Sequence, residues 1–565
     1  MDYPYDLGPY TRKITTRSAD AQRWFDRGLN WCFGYHHEEA IVCFEKALAA
    51  DPGCAMAHWS VAYAIGPNYN YPWELRDAEA KASSLARAYD ATQAALSHID
   101  GVSAGERALI AALPARFPQR DPIEDQRPWN DAFTDAMRTA HRAHPRDLDL
   151  RLVFVEAILN RTPWNMWNPR TGEPTEGAGT LEARDVLEAG FRMVPGATRH
   201  PGLLHLHIHL MEMSPHPEAA LLSGDRLREL TPDMGHLVHM ATHIDIQCGQ
   251  YHDAMLWNQK AIIADRKYYD RAGPHNFYSL YRLHNYHFAA YGAMFLGQYA
   301  PAIAAANEMI STMPESVLRT PSPPLADFFE SYIAARQHVL VRFGKWEEII
   351  EQSLPADPVL YCVTTATMHY AKGVAQAAMG NVVAAEVEQV LFRAAMERLP
   401  TSRLHMLNVT AKDTLAIAEA MLDGEIAYRR GEFDAAFTQL RHAVALEDAL
   451  PYEEPWGCSP CATRWARCCW SKGGLRRPRR CTEKIWVSAA NCRARKSIRT
   501  MCGRCAGCST ASTSAARRWK PRCSASAWNL LPRGRMPRWR YPASARAARP
   551  LEPPAVPRRG FHLCV

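Results

Sequence analysis

The sequence has no apolar run approaching the ~18 residues from which a membrane-spanning helix is read. Its first residues, Met-Asp-Tyr-Pro-Tyr-Asp, hold no basic segment leading into an apolar one, so no secretory signal is expected. A phosphate loop, a Gly-x-Ser-x-Gly nucleophile elbow, a Gly-x-Gly-x-x-Gly dinucleotide turn and a His-Glu-x-x-His zinc helix are all missing. Their absence removes the sequence signatures of P-loop nucleotidases, α/β-hydrolases, Rossmann enzymes and zincins. Cysteine is sparse before residue 457: only Cys32, Cys43, Cys54, Cys248 and Cys362 of the 16 lie there. All five sit in apolar helical patterns and read as buried free thiols. Such thiols suit a reducing compartment, and a cytoplasmic location is expected.

Negative charge is nearly absent from one end. Residues 457–565 carry 21 Arg and 4 Lys against Glu483 and Glu552, a net charge of +23. The preceding residues hold 41 basic against 57 acidic groups. The whole-chain net charge of +7 therefore describes neither part. The expected organisation is an N-terminal segment over 1–17, a helical solenoid over 18–456, and an Arg/Cys/Pro-rich tail over 457–565. Helical periodicity stops at the tail, whose vocabulary of Arg, Ala, Pro, Ser, Cys and Trp is that of a GC-rich gene read out of frame. A stretch so composed is expected to be disordered, because it cannot bury enough apolar surface to offset ordering entropy. Two other readings stay open. Cys502-Gly-Arg-Cys505-Ala-Gly-Cys508, with Cys492 or Cys523, could hold zinc or an iron–sulfur cluster. Basic residues interleaved with Trp465, Trp519 and Trp539 could bind nucleic acid, which is not expected of the rest of the chain.

The acidic part repeats itself. Residues 21–52 form one helical hairpin unit, with Trp24, Gly28 and Trp31 on the first helix and Ala40, Phe44, Ala47 and Pro52 on the second. Small residues let antiparallel helices approach, large ones fill the groove to the next unit, and the proline ends the second helix. A turn of Gly, any residue, then an aromatic or apolar residue recurs at Gly249, Gly297, Gly344, Gly380 and Gly431, at intervals of 48, 47, 36 and 51 residues. These exceed the 34 of a regular tetratricopeptide repeat (TPR). The fold class is therefore all-α, an irregular TPR-like solenoid. Pro232 and Pro314 close two units, and Asp131–Pro145 reads as a further second helix. Two segments break the period, Gly66–Trp73 and Thr162–Pro169, both rich in turn formers and aromatics. They read as loops, either packed on the solenoid or presenting Asn68, Asn70, Trp164 and Trp167 as a binding edge.

Histidine concentrates in the middle: His200, His205, His207, His209 and His216, then His236, His239 and His243, then His275, His284 and His287. His205 and His209 are spaced i, i+4, and His284 and His287 i, i+3. His236, His239 and His243 fall within about 60° of one helix face. Such spacings let two imidazoles share one ion. Each group precedes a helical turn and belongs on the first helix of its hairpin, the helix that lines the concave surface of a TPR array. If three units aim their histidines into one groove, imidazole nitrogens from different helices should approach within roughly 3–4 Å, as ligands of one zinc would. Glu212, Asp245 and Asp265 are candidate ligands or orienting groups.

At His200-Pro-Gly-Leu-Leu-His205, Gly235-His-Leu-Val-His-Met-Ala-Thr-His243 and Thr162-Pro-Trp164…Trp167 the chain resembles bacterial TPR proteins distantly similar to the tetratricopeptide repeat protein 38 family. The resemblance spans about residues 15–456. It implies a TPR fold with a retained histidine-rich surface, but no particular reaction. Relatives continue past Glu-Pro-Trp456 with another helical repeat, which fits a tail read out of frame.

Two functions are compatible with these residues. One is a TPR scaffold holding a peptide, a protein or a small ligand in a histidine-rich concave groove. Its contacts would be His205, His209, His236, His239, His243, His284, His287, Trp164, Trp167, Asn68 and Asn70. The other is a metal-dependent protein or enzyme whose ligands are His205, His209, His239, His243, His284 and His287. Histidine-dominated ligation suits zinc, copper or iron.

Overall fold

In the computed structural model, residues 3–405 and 407–451 are described, and all of them fall within one compact unit. The tail beyond residue 451, with its cysteine motif and basic aromatic stretch, lies outside the described residues. The described chain is helical almost throughout. The first part holds α1 (Ala19–Phe33), α2 (His37–Ala50), α3 (Ala55–Ile65), α4 (Ala78–Ser97), α5 (Ala104–Arg116), α6 (Arg127–Ala143), α7 (Leu148–Leu159) and α8 (Thr180–Met193). The middle holds α9 (Pro201–Met211), α10 (Leu221–Arg228), α11 (Gly235–Gln247), α12 (Tyr251–Ala272), α13 (Ser279–Phe295) and α14 (Tyr299–Ser311). After these come α15 (Glu315–Leu318), α16 (Leu325–Ile333), α17 (Ala335–Arg342), α18 (Trp346–Glu351), α19 (Cys362–Ala378), α20 (Val382–Glu397), α21 (Ala411–Arg430) and α22 (Phe433–Ala449). A two-stranded antiparallel ribbon, Leu404–His405 with Val409–Thr410, joins α20 to α21. No described helix is long and apolar enough to cross a membrane.

The recurring turn has one geometry. Gly249, Gly297, Gly344, Gly380 and Gly431 all take left-handed backbone, with φ between 66° and 89°. In each case the N–H of the following residue donates to the carbonyl five positions back, as Gln250 does to Asp245 and Gln298 to Ala293. This closure satisfies carbonyls at a helix end and needs a residue without a Cβ penalty at the left-handed position. Consecutive helices then pack as hairpins, α11 on α12, α13 on α14, α19 on α20 and α21 on α22, giving the irregular TPR-like solenoid expected from the spacing.

The α1–α2 hairpin departs from the rule. His36 N donates to Trp31 O as in the other turns, but the left-handed residue is Tyr35, at φ 55°. Gly34 stands one position earlier, where a Cβ would come within 2.6 Å of the terminal methyl of Met234. Close packing against the start of α11 claims the glycine, and tyrosine takes the strained conformation.

The first hairpin thereby meets helices far along the chain. Glu38 accepts from the backbone N–H groups of Phe277 and Tyr278, and the His36 ring stacks on Tyr278 at 3.8 Å. Asp77 accepts from Ser322. The segment before α1 is pinned across the same helices. Asp6 N donates to Asp233, Tyr10 donates to Asp149, Arg12 pairs with Asp147 and Asp149, and Thr15 N donates to Glu106. Of the five cysteines in the acidic part, Cys32, Cys43, Cys54 and Cys362 are buried free thiols and Cys248 is half-buried.

Candidate metal centre

The three histidine-bearing helices are enclosed on nearly all sides. Every residue of α9 is buried, as are Gly235–Asp245 of α11 and Ser279–Met294 of α13. The expectation of an open histidine-lined groove is therefore corrected: His205, His209, His236, His239 and His243 are each at most 2% exposed. The first hairpin closes over them, and so do the two loops read as possible binding edges. Asn70 and Trp164 enter the wall of the histidine cavity. Trp164 holds the second non-glycine left-handed backbone, at φ 58°. Asn68 caps its own turn by accepting from the N–H groups of Asn70 and Tyr71, and the Trp167 indole donates to Leu210 O. Both loops are packing elements here.

The imidazoles gather into two sets of three. His205 and His209 of α9 join His236 of α11, and His239 and His243 of α11 join His284 of α13. In each set, one possible ligand atom per residue lies within 4.8 Å of the others. His287 joins neither set; its ring lies 6.3 Å from His284 and also neighbours Tyr332 and His405. Asp245 turns away to pair with Arg228 at 2.6 Å, and Asp265 sits behind the cluster, accepting from Tyr278 and Asn285. Burial raises the Asp265 carboxyl to about 7, against the lowering effect of those two hydrogen bonds.

Hydrogen bonds orient four of the six rings. His205 Nδ1 donates to Phe33 O at 2.7 Å. His209 Nδ1 lies 2.8 Å from Glu212 Oε1, and His243 Nδ1 lies 2.6 Å from Glu212 Oε2. His239 Nδ1 lies 2.7 Å from Asn258 Oδ1. The Asn258 amide nitrogen already donates to Ala254 O and Thr242 Oγ1, which leaves its oxygen as the acceptor. A carbonyl, an ionised carboxylate and an amide oxygen can only accept. All four rings therefore carry a proton on Nδ1; where that is the ring's one proton, Nε2 presents the lone pair with which imidazoles ligate metals. Burial alone would push the Glu212 carboxyl up, but His243 and His209 hold it down at about 2, so it is ionised. Burial, reinforced by the neighbouring imidazoles, depresses His205, His236, His239 and His284 well below the ordinary histidine value, which favours their neutral form.

One contact has a strong consequence. His239 Nε2 and His243 Nε2 lie 2.8 Å apart. With a proton on each Nδ1, that approach is met either by one further proton shared as an N–H···N hydrogen bond between the two Nε2 atoms or by an ion bound to both. Among the described residues, no group hydrogen-bonds to Nε2 of His205 or His209, or to either ring nitrogen of His236. Unsatisfied buried polar atoms are rare, and each one calls for a cause.

Between the two sets lies a small cavity of about 30 Å³, bounded by His209, His236, His243, His284, Tyr281 and Trp164. It can hold a water-sized ligand but no peptide. Tyr35 packs on the first imidazole set, a contact that spacing does not announce: its ring lies 4.5 Å from His205 and stacks near His209 and His236. The only trace of it in the sequence is a turn glycine displaced by one residue.

The fold and site define an all-helical array of TPR-like hairpins around a buried polyhistidine core. No family model matches the chain, and no curated protein does. Solved structures similar to it include the TPR domain of P58(IPK), at 13% identity over 75% of this chain and 99% of that one, with a TM-score of 0.17. Another is Naa15/Naa10 bound to HypK-THB, at 12% identity over 83% and 89%, with a TM-score of 0.23. At scores this low, neither neighbour adds to what the chain's own helices show, and neither speaks to its partners.

Proposed function

We propose that this chain is a helical-repeat protein whose function rests on a transition-metal centre built from the imidazoles of α9, α11 and α13. The observation that carries the reading is the 2.8 Å approach of two imidazole Nε2 atoms whose Nδ1 protons are both committed elsewhere. A metal ion answers that contact and the buried, unpartnered nitrogens of His205, His209 and His236 together; a proton answers only the first. Neutral imidazoles with no carboxylate in direct ligation suit zinc, copper or iron and do not suit calcium or magnesium. Three imidazoles per ion leave coordination open toward the cavity, where a bound water or small ligand would be polarised. The burial of the histidines counts against the peptide-scaffold reading, which needs them in an open groove.

The segments that resemble the tetratricopeptide repeat protein 38 relatives, His200–His205, Gly235–His243 and Thr162–Trp167, are those that build or cover the centre, and we assign the resemblance to retention of this core. The free thiols agree with residence in the cytoplasm. Elemental analysis of the purified full chain is expected to find stoichiometric zinc, copper or iron. The His239→Ala/His243→Ala double variant should lose at least half of that metal. Metal-free protein with unchanged thermal stability in the double variant would refute the reading.

A further inference from the structure

The two imidazole sets share no residue, and they are not one large cluster. Each draws its three histidines from two helices: α9 and α11 for the first, α11 and α13 for the second. Yet they face one cavity, with His209 and His236 on one side and His243 and His284 on the other. Neighbouring rings of the two sets are close, with His236 5.9 Å from His239 and His209 6.2 Å from His243 between centroids. One fully buried carboxylate serves both. Glu212 takes the His209 N–H on one oxygen and the His243 N–H on the other.

We infer that the centre holds two metal ions, one in each imidazole set, and that Glu212 is the positioning residue coupling them. This rests on the metal reading above and adds number, arrangement and ligand class to it. A carboxylate accepting from a ligating imidazole fixes the tautomer and raises the ring's basicity, so Glu212 tunes both ions at once. Its single negative charge touches both sets. Two divalent cations would carry more charge than it offsets, and buried uncompensated charge is costly. An exogenous small anion in the shared cavity, such as hydroxide or azide, would relieve that imbalance. The cavity is of that size, and its walls include open positions of both ions. The class of ligand is thus a small bridging anion, not an organic substrate.

The test uses the full chain stripped of metal with a chelator and titrated with cobalt(II), whose visible bands report nitrogen ligation. The expected endpoint is two equivalents, with azide shifting the bands. The His205→Ala/His209→Ala variant should stop at one equivalent. Glu212→Gln keeps shape and a hydrogen-bonding group but cannot accept two N–H groups as an anion. It should weaken both equivalents by about 10–100-fold, with circular dichroism unchanged. An endpoint at one equivalent in the unmodified chain would overturn the two-ion inference and leave the metal reading standing. No cobalt binding would overturn both. Two equivalents with full affinity in Glu212→Gln would overturn the coupling role of the carboxylate.

Discussion

Helices α9 and α11 differ from α20 and α22 in how many of their faces are covered. All of α9 is buried, whereas α20 buries Ala385, Phe392, Ala395 and Met396, and α22 buries Ala436, Leu440 and Ala443. On α20 the side chains of Val383, Val387 and Val390 are more than half exposed. The last two hairpins behave as ordinary repeats, in which one apolar stripe per helix docks on the neighbour. The middle hairpins are enclosed, and what they enclose is polar. Burying polar groups costs free energy unless every one is satisfied. An array needing only mechanical stability would place leucine there. The metal centre proposed above accounts for the coincidence of enclosure and polarity in these hairpins.

That contrast breaks first at its electrostatic strap. Arg12 and Asp149 are both nearly buried, and Tyr10 and His200 add contacts to the same carboxylate. Arg12→Ala strands Asp149, which should destabilise the chain by about 3–5 kcal/mol, seen as a lower urea midpoint. Burial pushes the Asp149 carboxyl up, but Arg12 and His200 bring it well below the usual carboxylate range. A depressed carboxyl contributes stability above the unfolded value of about 3.9 and loses it as pH falls through the folded one. The gap between the unmodified chain and the variant should accordingly begin to narrow below about pH 4 and go on narrowing as pH falls toward the folded value.

Phe392→Ala tests the other region. It hollows the α20 core at a fully buried ring and should also cost about 3–5 kcal/mol. Metal content should stay unchanged, because α20 supplies nothing to the centre. Loss of metal in folded Phe392→Ala protein would mean that the two regions are not separable.

The smallest effects lie in the turns. Gly297→Ala places a Cβ in left-handed backbone with open space around it, and should cost about 1 kcal/mol with no change in metal binding. Tyr35→Gly relieves backbone strain of about 1–3 kcal/mol, which offsets part of the roughly 3–5 kcal/mol lost by emptying a buried ring site. It also removes the ring packed on His205, and cobalt affinity should fall about tenfold. Equal effects of the two substitutions on metal would remove the special role assigned to the first turn.

Much of the fold was legible before any coordinates, because the five turn glycines are local signals whose geometry depends on neighbouring residues alone. The placement of His205, His209, His239 and His243 on shared faces was legible for the same reason. The closure of the site was not. It depends on contacts between residues 172 to 245 positions apart, such as His205 with Phe33 and Ser322 with Asp77. Spacing carries no information at that range, so the core read as a groove. The same limit hid the division of the histidines. His284 and His287 share a face by spacing, but packing sends one to the centre and the other toward His405. Glu212 could be named as an orienting group, yet its double role depends on α9 and α11 lying side by side, which periodicity does not reveal.

The central claim concerns which atoms hold the metal, since the cysteines of the tail could also bind zinc. X-ray absorption at the K edge of the metal in the purified full chain reads this directly. The account predicts nitrogen neighbours at about 2.0–2.1 Å with the outer scattering of imidazole rings and no sulfur. Sulfur neighbours at about 2.3 Å, or a shell of oxygen alone, would contradict it.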